Sequence, residues 1–399
     1  MKYITRDIET TLRRVLGSFP SVAVTGPRQS GKSTLLKELL GDYRYISLDD
    51  PLLREQALSD PVLLLDSVGD RVIIDEIQLA PGLLSYIKMR IDNNRGQKGG
   101  YVFTGSQQFS MIRDLGDSLA GRIGLLDLLP FSVAEKQRAI EMLGGQACFI
   151  DACLRGGWPE LVVDPATHPG DWYGSYLQTY IERDVRTLHN IGNLRDFQRF
   201  MHLLAVRCSQ VLNYSELSAE VGVSVPTVKS WLSVLEASRL LYLLPPYYSN
   251  LGKRIVKAPK IYFTDCGLVC YLTGIKDADH VMQGPMAGAL FENFCIQEIL
   301  KIFFSRGQRP SLFYLRTNND LEVDLLIEES FDKLIPVEFK LSKTPTRKMA
   351  SGIQRFWKLF PTLKTASGMV VCLADLEAPL AADVNATPVE RFLERIVAE

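Results

Sequence analysis

The segment that most constrains this chain covers residues 21–34 and reads S-V-A-V-T-G-P-R-Q-S-G-K-S-T. A short apolar run rich in β-branched residues meets a glycine loop, and a leucine-rich helical run follows from Ser33. The loop fits G-x-x-x-x-G-K-S between a strand and a helix, the setting in which this pattern binds phosphate. An accidental glycine-rich turn is the alternative, but it would not explain why motif and context agree. The segment therefore predicts an α/β fold built on a P-loop sheet.

The same loop predicts how a nucleotide would be held. Its glycines turn backbone N–H groups inward around phosphate oxygens, and the N-terminus of the following helix adds its positive dipole end. We expect Lys32 to bridge the β- and γ-phosphates and the Ser33 hydroxyl to hold Mg²⁺. The expected nucleotide contacts within the loop are Gly26, Pro27, Arg28, Gln29, Ser30, Gly31, Lys32, Ser33 and Thr34.

A second apolar run, R-V-I-I-D-E-I-Q, predicts a buried parallel strand that ends in two adjacent carboxylates. Asp75 at the end of this strand is expected to hold the water shell of Mg²⁺. Glu76 beside it is expected to polarise the attacking water as general base. A strand that ends in two solvated acids is the alternative. After a P-loop, the tandem acids favour hydrolysis over phosphoryl transfer.

Two further segments supply groups for the same site. The strand G-Y-V-F-T-G-S-Q would end beside Asp75, where Thr104 or Ser106 would contact the γ-phosphate. Arg122 follows the run S-L-A-G and is expected to neutralise transition-state charge, either in its own chain or across a subunit interface. A surface or salt-bridged arginine is an equal alternative for Arg122.

Six segments that occur in a fixed order carry a resemblance to a known family: 26–34 (G-P-R-Q-S-G-K-S-T), 45–51 (Y-I-S-L-D-D-P), 75–78 (D-E-I-Q), 104–106 (T-G-S), 119–122 (L-A-G-R) and 155–160 (R-G-G-W-P-E). They resemble the AAA+ ATPases of bacteria and archaea that are fused to a C-terminal domain of unknown function. The resemblance covers essentially the whole chain. It implies ATP as the nucleotide and a helical lid near Gly156 and Gly157, and it leaves the biological role open. Ser30 and Ser33 stand where Val and Thr are common in the family, and neither change removes a required group.

The middle of the chain predicts a winged helix-turn-helix. Asn213 opens a short helix that ends in a turn at Gly222, and Ser224 caps a second helix with proline in its first turn. Helix, three-residue turn and helix form the helix-turn-helix pattern. Residues 240–265 then alternate aromatic and aliphatic residues around two breaks, as a wing hairpin would. The bases that cluster on this hairpin are Lys253, Arg254, Lys257 and Lys260.

DNA is the partner that this module suggests. The expected recognition helix offers only Thr227, Lys229 and Ser230 for contacts. Contact would therefore be made mostly to the phosphate backbone, through the wing, rather than to base edges. A role as an ATPase lid or as a dimerisation module is the alternative.

The C-terminal third returns to an α/β pattern. An amphipathic helix over 288–300 carries Glu292, and strands are expected near 313–316, 322–327 and 334–340, the last two as a hairpin. Strand period two puts Glu338 and Lys340 on one face. Asp324 on the partner strand faces Glu338 across the hairpin.

These acids and the lysine resemble the metal centre of restriction-endonuclease-like nucleases. The resemblance implies Mg²⁺ held by Glu292, Asp324 and Glu338, with Lys340 orienting or deprotonating the attacking water. An exposed Glu-x-Lys ion pair is the alternative, because the pattern is short.

Composition limits the remaining function classes. The chain has 399 residues and a formal net charge of -1, which excludes a histone-like or acidic-tail protein, so nucleic-acid contact needs a local patch. The 7 cysteines are scattered and the 4 histidines lie far from them, so we expect reduced thiols and no zinc site. No apolar run approaches the ~18 residues of a membrane span, and the polar start is unlike a signal peptide. We expect a cytoplasmic protein with no membrane partner.

The expected domains are an ATPase core (1–135), a helical lid (136–200), a winged helix-turn-helix (201–265) and a restriction-endonuclease-like domain (266–399). The leading hypothesis is an AAA+ ATPase that hydrolyses ATP with Mg²⁺ and acts on DNA. Metal-dependent cleavage by the C-terminal domain and homo-oligomerisation are further expectations. The alternative is an ATP-gated regulatory or binding switch with an inactive nuclease-like scaffold. A plain NTPase with a protein partner is a third hypothesis.

Overall fold

The computed structural model describes residues 3–105, 119–139, 144–180, 194–247, 258–317, 321–330 and 333–398. The N-terminal third forms a five-stranded parallel sheet in the order β2-β3-β4-β1-β5. Its elements are α1 (Glu9–Leu16), β1 (Ser21–Thr25), α2 (Lys32–Leu39), β2 (Arg44–Ser47), α3 (Pro51–Ser59), α4 (Pro61–Val68), β3 (Val72–Asp75), a 3-10 turn (Ile77–Leu79), α5 (Leu83–Asn93), β4 (Tyr101–Thr104) and β5 (Ile123–Asp127).

Both faces of this sheet are covered. Alternate residues of β1 point to opposite sides, so Val22 and Val24 pack with α1 and α2 while Ala23 packs with α4 and α5. A sheet that is buried on both faces needs strands that are apolar throughout, which accounts for the unbroken apolar runs in the sequence. Because every pairing is parallel, the carboxyl ends of β1, β3 and β4 meet at one edge.

The middle of the chain is helical and ends in an antiparallel hairpin. Its elements are α6 (Val133–Lys136), α7 (Gly144–Leu154), α8 (Pro159–Val163), α9 (Pro169–Tyr180), α10 (Leu194–Val206), α11 (Tyr214–Val221), α12 (Val225–Ala237), β6 (Leu241–Leu244) and β7 (Lys260–Phe263). Asn213 caps α11, Gly222 ends it with φ 84°, and Ser224 caps α12. Three of the predicted wing bases, Lys253, Arg254 and Lys257, lie outside the described residues.

The C-terminal third is a mixed sheet flanked by helices. Its strands run in the order β13-β14-β12-β10-β9-β8, with β11 beside β10. The predicted hairpin is confirmed, since β9 and β10 pair antiparallel with Leu325 opposite Val337. The elements are α13 (Cys266–Thr273), α14 (Ala278–Gln283), α15 (Ala287–Ser305), β8 (Leu312–Arg316), β9 (Glu322–Ser330), β10 (Lys333–Phe339), a 3-10 turn (Arg347–Ala350), α16 (Ser351–Leu359), β11 (Lys364–Thr365), β12 (Gly368–Cys372), β13 (Ala378–Ala381), β14 (Val384–Pro388) and α17 (Val389–Ala398).

One hydrophobic core joins the middle and C-terminal parts. It extends from Leu129 to Ile396 and includes the buried face of α15, where Phe291 and Phe294 contact Phe149 of α7 at ring distances of 5.4 and 5.5 Å. The expected domain boundary between residues 265 and 266 therefore falls inside a shared core. All seven cysteines are buried and free. Among the described helices, none combines the length and apolar character needed to cross a bilayer.

Candidate nucleotide site and C-terminal carboxylate cluster

The P-loop follows β1 at the carboxyl edge of the N-terminal sheet, where two glycines are required by geometry. Gly26 has φ 140°, and a Cβ there would lie 2.1 Å from the carbonyl oxygen of Leu128. Gly31 has φ 92° and occupies the N-cap of α2, a backbone conformation that L side chains rarely adopt. Lys32 is buried, and its ammonium donates to the carbonyl oxygens of Gly26 (3.0 Å) and Pro27 (2.8 Å). The loop is thus already bent around the position of the lysine charge.

Arg6 holds the loop from behind, a role that no sequence pattern indicated. Its guanidinium donates to the carbonyl oxygens of Ser30 (3.0 Å) and Leu129 (2.7 Å) and pairs with Glu135 at 2.9 Å. Burial acts to raise the pKa of Glu135, but the Arg6 charge outweighs it and holds the pKa below its ordinary value. The guanidinium also lies 4.4 Å from the centre of the Phe131 ring. Arg6 therefore fixes the P-loop against the segment that follows β5.

Asp75 meets the first turn of α2, as the sequence predicts. The Ser33 hydroxyl donates to Asp75 Oδ2 at 2.9 Å, and the Tyr45 hydroxyl donates to the same oxygen. Burial and this hydrogen bond raise the pKa of Tyr45. Thr104 pairs with Asp75 in the register of β3 and β4. Hydroxyl and carboxylate oxygens of this kind are the ligands that Mg²⁺ prefers, so Ser33 and Asp75 fit the expected ion.

Two buried hydroxyls at this edge have no hydrogen-bond partner within the described structure. They are Ser30 Oγ in the loop and Thr104 Oγ1 at the end of β4. Buried hydroxyls without partners are uncommon because losing water without compensation costs free energy. A phosphate group would supply the missing partners, so these two atoms also fit a bound nucleotide. Ser106, the alternative to Thr104, lies outside the described residues.

Glu76 sits on a strained turn directly after β3. Its φ of 55° is in the left-handed region that non-glycine residues rarely adopt. The Gln78 side chain donates to Glu76 Oε2, and the Glu76 backbone N–H donates to Asp75 Oδ1 at 3.0 Å. Strain of this kind persists where surrounding bonds enforce it and is common at active sites.

Arg122 lies at the opposite end of the sheet from the P-loop. Its carbonyl oxygen accepts from the Ser21 backbone N–H at the start of β1. Its side chain forms two bonds with Asp92, at 2.8 and 3.0 Å, which hold the pKa of that carboxyl below its ordinary value. The five residues of β1, at about 3.3 Å each, separate it from the loop. Within one chain Arg122 does not reach the phosphates, and the salt-bridged alternative describes it here.

The R-G-G-W-P-E segment packs on the buried carboxylate of Asp265, which requires a glycine at position 156. Asp265 accepts from the Tyr173 hydroxyl (2.5 Å) and from the Gly157 backbone N–H (2.7 Å). A Cβ at Gly156 would lie 2.0 Å from the Tyr173 hydroxyl, and one at Gly31 would lie 3.6 Å from the Pro159 ring. The segment therefore lies next to the P-loop, where the resemblance puts a lid.

In the C-terminal sheet, the predicted acids and lysine do come together. Lys340 donates to Asp324 Oδ2 at 3.2 Å and to Glu338 Oε2 at 2.6 Å. The Phe339 backbone N–H donates to the same Asp324 oxygen at 2.9 Å. A Cβ at Gly352 of α16 would lie 2.3 Å from Glu338 Oε1, so the helix packs directly on this carboxylate.

Lys260 enters the same cluster, which corrects its expected place on a basic wing. Its side chain is only 2% exposed, and its ammonium lies 3.1 Å from Glu292, 2.6 Å from Glu322 and 3.8 Å from Asp324. Burial acts to lower the pKa of Lys260, but the three carboxylates raise it above its ordinary value. Tyr262 donates to Glu292 at 2.5 Å. Burial raises the pKa of Glu292 to about 7.

The cluster therefore does not fit the metal set implied by the nuclease resemblance. Lys260 lies between Glu292 and Asp324, and Lys340 lies between Asp324 and Glu338. Across the described ranges, no three His, Cys, Asp or Glu side chains are grouped so that they could hold a metal ion. The expected set of Glu292, Asp324 and Glu338 fails because ammonium groups already neutralise it.

Comparison with known families agrees with the N-terminal geometry. Residues 18–136 match a family described as an AAA domain. This part of the chain is an AAA-type ATPase domain with a P-loop, as predicted. Residues 146–279 and 287–392 match two domains of unknown function, DUF8612 and DUF4143.

The chain also resembles individual proteins along most of its length. It is 28% identical over 390 residues to the uncharacterized proteins Rv2008c of Mycobacterium tuberculosis and Mb2031c of Mycobacterium bovis, a match that covers 97% of this chain and 84% of each relative. Among solved structures, a Walker-type ATPase of Pyrococcus abyssi aligns with a TM-score of 0.45 and 17% identity, covering 68% of this chain and 96% of that chain. A RuvB protein of Thermotoga maritima aligns with a TM-score of 0.32 and 17% identity, covering 60% of this chain and 89% of that one.

Proposed function

We propose that this protein hydrolyses ATP with Mg²⁺ in its N-terminal domain. The contact between the Ser33 hydroxyl and Asp75 Oδ2, one residue from the P-loop lysine, carries the proposal. The unpartnered hydroxyls of Ser30 and Thr104 at the same edge support it. The AAA-domain match supports the same nucleotide chemistry.

Each side chain has a distinct task in this proposal. Lys32 exchanges the loop carbonyls of Gly26 and Pro27 for phosphate oxygens. Ser33 and Asp75 hold Mg²⁺, which when bound neutralises charge on the β- and γ-phosphates. Glu76 accepts the proton of the attacking water. Thr104 donates its free hydroxyl to the γ-phosphate.

Calorimetry with ATP and Mg²⁺, together with phosphate release, tests this proposal. The native chain is expected to bind and turn over ATP, while Lys32→Ala is expected to lose binding because it removes the ammonium around which the loop is bent. The matched control is Lys98→Ala, which removes an exposed lysine of the same domain. Native protein that gives no heat with ATP and Mg²⁺ would refute the proposal.

We propose DNA as a partner of the helices α11 and α12. Their order, followed by a hairpin, is that of a winged helix, and Lys229 and Ser230 of α12 are exposed. Fluorescence anisotropy of a labelled DNA duplex tests this. If Lys229 contacts a phosphate, Lys229→Glu should weaken binding and reduce the slope of log affinity against log salt concentration by about one. Lys98→Glu makes the same charge change elsewhere and should have no effect. Equal loss in both variants would refute a specific role for α12.

The C-terminal domain favours the switch hypothesis over an active nuclease. Asp324, Glu338 and Lys340 meet as a nuclease centre would require, but Lys260 also lies beside Asp324 and neutralises part of its charge. We propose that this domain acts as a nuclease-like scaffold. Incubation of the native chain with duplex, single-stranded and branched DNA and Mg²⁺ tests this. Nicking that disappears in Glu338→Ala would support the nuclease hypothesis instead.

A further inference from the structure

Lys260 is a buried cation surrounded by carboxylates from two elements. Glu292 belongs to α15, and Glu322 and Asp324 belong to β9, whereas Lys260 comes from the hairpin strand β7. Lysine is almost never fully buried unless its charge is paired. The Lys260 side chain is only 2% exposed, so its ammonium is shielded from bulk water. The carboxylates take the place of water around the charge.

The lysine is held in place by its strand. Asn293 of α15 accepts from the Phe263 backbone N–H at 2.7 Å and donates to the Phe263 carbonyl oxygen at 3.0 Å. The Tyr314 hydroxyl donates to the carbonyl oxygen of Ala258. Bonds on both sides of Lys260 therefore tie β7 to the C-terminal domain and hold the Lys260 backbone beside the carboxylates.

We propose that Lys260 is the resident cation of this cluster and that it excludes a hard divalent cation from Glu292 and Asp324. Mg²⁺ and Mn²⁺ would need these oxygens as ligands, at about 2.0–2.1 Å for Mg²⁺. Lys260 Nζ stands 3.1 Å from Glu292 Oε1 and 3.8 Å from Asp324 Oδ1, so it occupies the space between them. An ammonium and a divalent ion at this separation would repel strongly in a buried site. The inference concerns metal occupancy of this cluster, and its test measures metal binding rather than DNA cleavage.

Mn²⁺ binding to the full chain tests the inference by electron paramagnetic resonance. The nucleotide site is first silenced with Lys32→Ala and Asp75→Asn, so that bound Mn²⁺ reports the C-terminal cluster. In this background, the chain that keeps Lys260 is expected to bind no Mn²⁺ at millimolar concentration. Lys260→Met removes the charge at similar length and is expected to gain one bound ion per chain. Adding Asp324→Asn to Lys260→Met is expected to abolish that ion.

Lys301→Met is the matched control. Lys301 is also buried, but among the described residues its ammonium pairs with one carboxylate, Glu298 at 2.7 Å, and donates to a backbone carbonyl oxygen. Its removal should therefore create no metal site.

Two results would overturn the inference. The first is Mn²⁺ binding that requires Asp324 while Lys260 is present, and the second is a folded Lys260→Met chain that binds none. If Lys260→Met unfolds without metal, Mn²⁺ is expected to raise its melting temperature, and failure to do so counts against the inference. If that variant cannot be purified, the Lys260-containing chain decides by itself, because Asp324-dependent binding refutes exclusion and its absence supports it. Loss of the proposed ATPase or of DNA cleavage changes none of these readouts.

Discussion

Among single residues, Glu76 combines its proposed role as general base with a strained backbone. A non-glycine residue in the left-handed region costs on the order of 1–3 kcal/mol. Gln78 and Asp75 both bond to Glu76, and these contacts hold the turn. Glu76 directly follows Asp75, the carboxylate that we propose for Mg²⁺, at the end of β3. The turn therefore gives adjacent residues the two separate tasks that we propose, ion binding by Asp75 and proton acceptance by Glu76.

The variant Glu76→Gln isolates the proton-acceptor role. We expect it to bind ATP as the native chain does and to lose turnover by about 10²–10⁴-fold, the usual contribution of a positioned general base. Calorimetry and phosphate release measure the two effects separately. Glu55→Gln makes the same change on an exposed face of α3 and should leave both unchanged. Undiminished hydrolysis in Glu76→Gln would remove Glu76 from the mechanism.

The buried ion pair of Arg6 predicts that replacing this residue greatly lowers the free energy of unfolding. Arg6→Met leaves Glu135 buried without its partner, which costs on the order of 3–5 kcal/mol. The free energy of unfolding from urea titration measures it. Arg71→Met is the control, because the Arg71–Asp42 pair is more than half exposed on both sides and contributes at most about 1 kcal/mol. Equal effects of the two substitutions would contradict the role of Arg6 as a buried clamp.

The Arg6–Glu135 ion pair also predicts how the free energy of unfolding changes with pH. Because the pKa of Glu135 is below its ordinary value in the folded chain, its ion pair contributes stability above the ordinary carboxyl pKa. That contribution is lost as the pH falls through the lowered pKa. The difference in unfolding free energy between the native chain and Arg6→Met should therefore shrink in acid. A difference that grows in acid would contradict this assignment of charge.

Among the elements, the loop between α7 and α8 depends on glycine for packing as well as for backbone angle. Gly156 has φ 76° and faces the Tyr173 hydroxyl, whereas Gly222 at the end of α11 has φ 84° and open space around it. Alanine at position 222 should lower the free energy of unfolding only by the cost of a left-handed backbone, about 1–2 kcal/mol. Ala at Gly156 must also displace Tyr173 or Asp265, so we expect a clearly larger loss. Thermal unfolding of both variants measures it, and equal losses would show that Asp265 does not tightly fix the loop.

Local patterns in the sequence predicted those elements whose partners are near in the chain. The P-loop, the strand that ends at Asp75 and the β9–β10 hairpin each follow from periodicity and turn residues within about ten positions. Lys260 was assigned to a basic wing because its sequence neighbours are basic. Its true partners, Glu292, Glu322 and Asp324, lie more than thirty positions away, and only the folded arrangement brings them together. Arg6 and Glu135 were missed for the same reason.

The whole molecule is organised around α15. Near its start, Glu292 contacts Lys260 in the C-terminal cluster. Further along, Glu298 accepts from the Val133 backbone N–H at 2.8 Å and Lys301 donates to the Phe131 carbonyl oxygen at 3.0 Å. Phe131 in turn stacks on Arg6 behind the P-loop. The helix thus contacts the C-terminal cluster directly and is connected to the P-loop through Phe131 and Arg6, which gives the proposed ATP-gated switch a physical connection.

This organisation predicts that the middle of the chain does not fold without α15. A chain truncated after residue 286 loses Phe291 and Phe294, so Phe149 and its neighbours in the shared core become exposed. Each Å² of apolar surface that stays exposed costs about 25 cal/mol of the free energy of unfolding. We expect weak near-UV circular dichroism and rapid hydrogen exchange in residues 144–283, with protection retained in the N-terminal sheet, which has its own cores. Co-expression with residues 287–399 is the control and should restore protection, because both halves of the core are then present. A truncated chain that protects residues 144–283 as the full chain does would contradict the single shared core and would support the domain boundary that the sequence predicts at residue 265.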